Sequence, residues 1–114
     1  MPAARAYVEK RFGASVDFRD DPIISTIGTT DDIFLNSYPD RLAFTVVNLS
    51  ASAVFIRPGL AASSTTGIRL GPNGGSAVFS VDTDMILTTL EWHIIGAATS
   101  LAFYTTETFA IEVY

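Results

Sequence analysis

The chain contains no cysteine among its 114 residues, which excludes both disulfide bonds and thiolate chemistry. Charge is scarce too: 17% of the residues are charged, below the roughly 25% usual in soluble domains. One lysine, Lys10, and scattered arginines accompany a net charge of −5. Because nucleic-acid grooves are bound by clustered Lys and Arg, we expect no nucleic-acid partner.

Long hydrophobic runs are missing as well. The longest apolar run falls far short of the roughly 20 residues that a membrane-spanning helix needs, so no membrane partner is expected. The N-terminal stretch MPAARAYVEKRFG lacks the apolar segment of a secretory signal. The length predicts a single folding unit, which is large enough to bury a core without a metal or a disulfide.

Apolar residues are abundant, at 48% of the chain, and include eight Phe, four Tyr and one Trp. A small domain has a high surface-to-volume ratio, so a monomer would struggle to hide this much apolar material. We therefore expect another copy or another protein to cover part of it. The alternative is a well-packed monomer.

From Arg41 onward, short strand-like runs alternate with turn residues. This spacing, without any βαβ alternation, predicts an all-β fold: an antiparallel β-sandwich of the jelly-roll type. The turns at 48–52 and 71–75 are interpreted as hairpin connections. The predicted strands cover 42–49, 53–57, 68–70, 76–81, 90–95, 101–106 and 109–114, with a further linking strand at 85–89.

Residues 1–40 differ from the sandwich region at 41–114, because they hold seven of the twelve acidic residues. Residues 3–12 fit a short helix, and Pro22 ends any helix before an extended piece begins. Two interpretations stay open for this segment. It is either an extended N-terminal arm that lies against a partner, or an ordinary pair of edge strands joined by loops.

Candidate catalytic and metal-binding residues are few. His93 is the only histidine, and a Ser-His-Asp triad around it would need a positioned nucleophile and oxyanion donors. No G-x-S-x-G motif is present, so the sequence favours a rim or subunit-contact histidine and no enzymatic activity. The acidic pairs at 20–21, 31–32 and 82–84 could bind calcium but are more typical of turns. We expect no metal and no cofactor.

Two further sequence patterns each allow a second, functional interpretation. Asn48-Leu49-Ser50 matches the N-glycosylation acceptor, which we interpret as a chance match. Strand aromatics, namely Trp92, Tyr104 and Tyr114, could stack on sugar rings, although strand aromatics more often belong to cores or interfaces.

The order of four segments resembles small β proteins encoded among the structural genes of tailed bacteriophages. These segments are RLAFTVVNLS at 41–50, AVFIRP at 53–58, GIRLGPNGG at 67–75 and EWHIIGAA at 91–98. The resemblance covers about residues 41 to 107 and concerns strands and turns, without an active-site motif. It implies a virion component, such as a capsid decoration (cement) protein, a head fibre, or a tail or baseplate accessory. Decoration proteins of this kind are often trimers with an N-terminal arm.

The resulting expectation is a decoration protein on the capsid surface that binds and stabilises the major capsid protein lattice as a homo-oligomer, a trimer. A fibre or baseplate accessory with a glycan-binding β module is the alternative. No functional residue is carried over from the resemblance. From the residues themselves we expect Trp92 or Tyr104 at subunit contacts. The expected arm contacts to the capsid are Tyr7, Phe12, Phe18, Ile23 and Ile24.

Overall fold

A computed structural model describes residues 2–20 and 24–113. Its two antiparallel sheets pack face to face, and a helix precedes the first strand. The helices are α1 (Pro2–Phe12), α2 (Val81–Asp84) and a 3₁₀ helix (Met85–Thr89). The strands are β1 (Ala14–Arg19), β2 (Thr26–Ile27), β3 (Asp32–Leu35), β4 (Arg41–Asn48), β5 (Val54–Pro58), β6 (Ile68–Leu70), β7 (Ser76–Ser80), β8 (Trp92–Gly96) and β9 (Leu101–Val113).

The strand pairs are nested inside one another. The innermost pair is β5–β6, followed outward by β4–β7, β3–β8 and β1–β9. This nested hairpin folds into a five-stranded sheet of order β1-β9-β4-β7, with β2 also paired to β9, and a four-stranded sheet of order β3-β8-β5-β6. Two interleaved sheets of this connectivity form a jelly roll. The predicted antiparallel jelly-roll sandwich is confirmed.

Several local expectations need correction. The links at 48–52 and 71–75 are not hairpins, because each joins strands of different sheets. The segments 101–106 and 109–114 belong to one long strand, β9, which ends at Val113. Residues 85–89 form a 3₁₀ helix and not a strand.

The N-terminal segment contains both a helix and strands. The expected helix is present as α1. The strands β1 and β3 lie at the edges of the two sheets, so this part of the segment takes the edge-strand form. The role of the segment as an arm that contacts a partner stays a prediction.

The hydrophobic core lies between the two sheets. Trp92 is fully buried, and its ring lies 5.2 Å from that of Phe44 and 4.6 Å from that of Phe79. Its indole N–H donates to the carbonyl of Leu87 at 2.9 Å. Trp92 is therefore a core residue, which corrects its expected place at a subunit contact. The core also includes Phe34, Leu35, Val46, Val54, Ile56, Leu70, Ile94 and Phe103.

Candidate interaction surfaces

Over the register positions 18, 43–47, 76–80 and 104–108, the outward side chains of the five-stranded sheet are uncharged, and the Asp20 carboxylate reaches this face at Tyr104. Directly opposed residues of antiparallel strands share a face, and the inward side is marked by buried Phe44 and Val46. We call the resulting outward set the uncharged face. Its members are Phe18, Ala43, Thr45, Val47, Ser76, Val78, Ser80, Tyr104, Thr106 and Thr108.

Three large side chains on the uncharged face are open to solvent. Val78 is 67% exposed, Phe18 65% and Tyr104 42%. The hydroxyl of Tyr104 donates to Asp20 at 2.8 Å, and this hydrogen bond raises the pKa of Tyr104 above its usual range. Exposed apolar side chains on a sheet face of otherwise uncharged residues are typical of interaction sites on soluble proteins. The face is therefore suited to being covered by another macromolecule.

The outer face of the four-stranded sheet has a different composition. Phe55 lies between Arg69 on β6 and Ile95 on β8, and Arg57 lies opposite His93. Neither Arg57 nor Arg69 has a carboxylate within ion-pair distance in the part of the chain that the structure describes. We call Phe55, Arg57, Arg69 and Ile95 the arginine face.

His93 is held between two carboxylates beside the arginine face. Its Nδ1 lies 2.8 Å from Asp31 and its Nε2 lies 3.4 Å from Glu91. The other oxygen of Asp31 accepts the N–H of Ala62 at 2.8 Å, which ties the β5–β6 loop to β3. Burial acts to lower the pKa of His93, but the hydrogen bonds and charges of Asp31 and Glu91 outweigh it and raise this pKa.

This arrangement does not resemble a catalytic or metal-binding histidine. Both ring nitrogens of His93 face carboxylates, so neither is directed at a nucleophile. The two carboxylates lie on opposite sides of the ring and do not converge on one ion. Over residues 2–20 and 24–113, no group of three or more His, Asp or Glu side chains could hold a metal.

An ion cluster of Arg41, Glu107 and Arg19 lies on the inner side of the five-stranded sheet. Arg41 is almost fully buried and donates to Glu107 at 2.8 Å, and Arg19 donates to the other carboxylate oxygen at 2.7 Å. Burial acts to raise the pKa of Glu107, but the two arginines lower it below its usual range. The Arg41 guanidinium also donates to the carbonyls of Asn36, Thr88 and Leu90. Because these donors are saturated within the fold, the cluster is structural.

Asn48, in the apparent glycosylation motif, is fully buried. Its amide nitrogen donates to the carbonyls of Ser52, Leu70 and Gly71, at 2.8, 3.1 and 3.0 Å. Its side-chain oxygen accepts from the N–H and the hydroxyl of Ser50. This side chain links the two connections that cross between the sheets, so the motif has a structural role in this fold.

The predicted arm contacts do not form one surface. Tyr7 is exposed on α1, while Phe12 is half-buried and lies under the Arg11 guanidinium. Phe18 lies on the uncharged face, whereas Ile24 packs against the core. Ile23 lies outside the described residues.

Sequence reasoning missed one exposed apolar feature, the segment 85–87. Met85 is 72% exposed and Ile86 is 69% exposed, and Leu87 is partly exposed beside them. We call these three residues, which begin the short 3₁₀ helix between β7 and β8, the 85–87 loop. Three consecutive apolar residues of this kind indicate a strand in the sequence, and the only signal against that assignment is the preceding Asp82-Thr83-Asp84 turn.

No family model and no curated protein matches this chain. Among solved structures, the chain is similar to one from the disulfide-linked pili of Bacillus endospore appendages. That pair is 18% identical, with a TM-score of 0.49, and covers 84% of this chain and 88% of the other. The chain is also similar to the coat protein of Tobacco streak virus in a dimer structure, with 11% identity, a TM-score of 0.45 and coverage of 83% and 84%. A second structure of that coat protein gives 11% identity, a TM-score of 0.42 and coverage of 83% and 85%. Likenesses at this level carry no argument about function.

Among the described residues, no helix is long and apolar enough to cross a membrane.

Proposed function

We propose that this protein is a structural component of a virion, a capsid decoration protein that attaches to the outside of a shell of major capsid protein. The observation that carries the proposal is the uncharged face, which leaves Phe18, Val78 and Tyr104 in water among outward residues that carry no charge. The order of strands and turns over residues 41 to 107, which resembles virion proteins of tailed bacteriophages, supports the same function.

Attachment would depend on contact area and copy number. Each apolar contact with the shell removes surface from water at roughly 25 cal/mol per Å². An oligomer that presents several uncharged faces binds several shell subunits at once, so modest single contacts add up to durable attachment. A homotrimer would give three such faces.

The test is attachment of purified protein to capsids that lack it. We expect Val78→Lys to abolish attachment, because the lysine would place a charge in a contact proposed to exclude water. Thr99→Lys is the matched control, since Thr99 is exposed on the β8–β9 turn, away from this face. If Val78→Lys decorates capsids as well as the unmodified protein does, the uncharged face is not the attachment surface.

A fibre or baseplate accessory with a glycan-binding module is the second candidate. It is favoured by two exposed aromatic rings on one sheet face, Phe18 and Tyr104, with the Asp20 carboxylate beside the Tyr104 hydroxyl. Aromatic faces with a nearby hydrogen-bonding group suit sugar rings. A glycan array separates the two functions: reproducible binding that is lost in Tyr104→Ala supports the glycan module, and a decoration protein shows no sugar preference.

A further inference from the structure

The 85–87 loop holds its apolar side chains in water on a fixed backbone. The indole of Trp92 donates to the carbonyl of Leu87, and the Thr89 hydroxyl donates to that of Ile86 at 2.8 Å. At the start of the segment, the backbone N–H of Ser80 donates to the Asp84 carboxylate at 2.9 Å. The segment is therefore ordered by core and sheet contacts while Met85 and Ile86 stay exposed.

Met85 occupies a backbone conformation that favours glycine. Its φ is 52° and its ψ is −126°, which a residue with a side chain adopts only at a cost. The Met85 side chain adds little to the stability of the fold, because it is mostly exposed. A strained position with an exposed apolar side chain points to a role outside the subunit.

The two surfaces carry charges of opposite sign, and the two carboxylates at the margin of the arginine face, Asp31 and Glu91, are held by His93. Asp82 and Asp84 precede the 85–87 loop, and Asp82 is paired with Arg11 of helix α1, so the surroundings of the loop remain net negative. The arginine face offers two apolar side chains, Phe55 and Ile95, between guanidinium groups without carboxylate partners among the described residues.

We propose that the 85–87 loop of one copy docks on the arginine face of a second copy. This deepens the proposed function, on which it rests, because it assigns the contact that joins subunits. The contact uses two different surfaces and is therefore head to tail, which closes into a ring such as a trimer or continues as a filament. The carboxylates beside the loop would repel an anionic lipid surface, whereas they attract the guanidinium groups of a second copy. A second copy is therefore the proposed partner.

The test uses two variants that each remove one side of the contact. Ile86→Asp damages the loop and leaves the arginine face intact, and Arg69→Glu does the reverse. In sedimentation velocity from micromolar to millimolar concentration, we expect the unmodified chain to self-associate and each variant alone to do so at least about tenfold more weakly. An equal mixture should form one-to-one dimers and nothing larger, because only one intact loop–face pair remains.

A second measurement follows Met85→Gly. We expect its unfolding temperature to rise, because glycine relieves the backbone strain, while its self-association weakens. Loss of association in a chain that is more stable cannot come from unfolding, so an unchanged association in this variant contradicts the proposal.

The controls separate this contact from shell attachment. Val78→Lys lies on the uncharged face and should self-associate normally even where it fails to decorate capsids. A monomer at every concentration, or variants that remain monomeric when mixed, would overturn the head-to-tail contact and leave the proposal about shell attachment standing.

Discussion

The two sheets place their polar groups on opposite sides. The five-stranded sheet buries Arg41, Asn48 and Glu107 on its inner side and shows an uncharged surface to solvent. The four-stranded sheet has an apolar inner side, with Val54, Ile56 and Ile94 fully buried. Its outer side carries arginines and the histidine–carboxylate group.

A sheet with one solvated side usually shows polar residues to water and apolar residues to the core. The four-stranded sheet follows this rule, and the five-stranded sheet departs from it by burying polar groups on its inner side. Its inner polar groups Arg41, Asn48 and Glu107 bond to one another or to nearby carbonyls, so they fix how strands and loops meet. Its outer side lacks the charges that keep a surface hydrated, which is the property expected of a surface that another protein covers. The difference separates a charged outer side from one whose outward residues are uncharged.

The largest effect should come from breaking the inner ion cluster. Arg41→Met leaves three carbonyls without their donor and leaves Glu107 with Arg19 alone. We expect a loss of about 3 to 5 kcal/mol in the free energy of unfolding, measured by urea denaturation. The control is Arg57→Met on the outer side, which should cost less than about 1 kcal/mol. Equal losses in the two variants would remove the distinction between the sheets.

The next effect concerns the buried amide of the same sheet. Asn48→Ala should reduce the free energy of unfolding by about 2 to 3 kcal/mol, because three carbonyls and the Ser50 groups lose their partner. Asn36→Ala is the matched control, since the Asn36 side chain is exposed. A loss below about 0.5 kcal/mol in Asn48→Ala would mean that the two connections between the sheets keep their structure without the Asn48 side chain.

The third effect is a pH dependence on the outer side of the four-stranded sheet. The pKa of His93 is raised in the folded state, so its stabilisation is fully present below the unfolded pKa of about 6.5 and is lost as the pH rises through the folded pKa. We expect the free energy of unfolding to fall as the pH rises from about 6.5 through the raised folded pKa of His93, and this fall to disappear in His93→Gln. An identical fall in both proteins would assign it to other groups.

The smallest effect should come from the uncharged face. Val78→Lys should change the free energy of unfolding by no more than about 0.5 kcal/mol, because the side chain is exposed and has no buried partner to lose. Thermal denaturation checks this. A large loss would mean that Val78 serves the fold, and the failure of this variant to attach to a shell would then be uninformative.

The sequence predicts most strands because their apolar positions alternate cleanly. It fails where inward positions are polar: Thr105 and Glu107 interrupt the alternation of β9, so one strand is interpreted as two. Glu107 can lie inside only because Arg41 and Arg19 reach it from strands distant in the chain. A local pattern does not contain that information.

The contact surfaces also depend on long-range packing that a local sequence pattern does not contain. The alternation in β8 places either Trp92 or His93 inside, and only the packing of Trp92 against Phe44 and Phe79 decides which. The uncharged face emerges once the register of β1, β9, β4 and β7 is known. Met85 and Ile86 look like strand residues because their exposure depends on the turn before them.

The nested strand order also governs how this protein is made. The five-stranded sheet remains in two pieces until β9 is synthesised, because β9 lies between β1 and β4. Ala14 pairs with Val113, so the segment through Val113 must leave the ribosome before the sheet closes. Folding dominated by such distant pairings takes milliseconds to seconds, and the unpaired edges of β1 and β4 are open to aggregation in that interval. We expect yield in the cell to depend more on chaperones and growth temperature than on the stability of the finished sandwich.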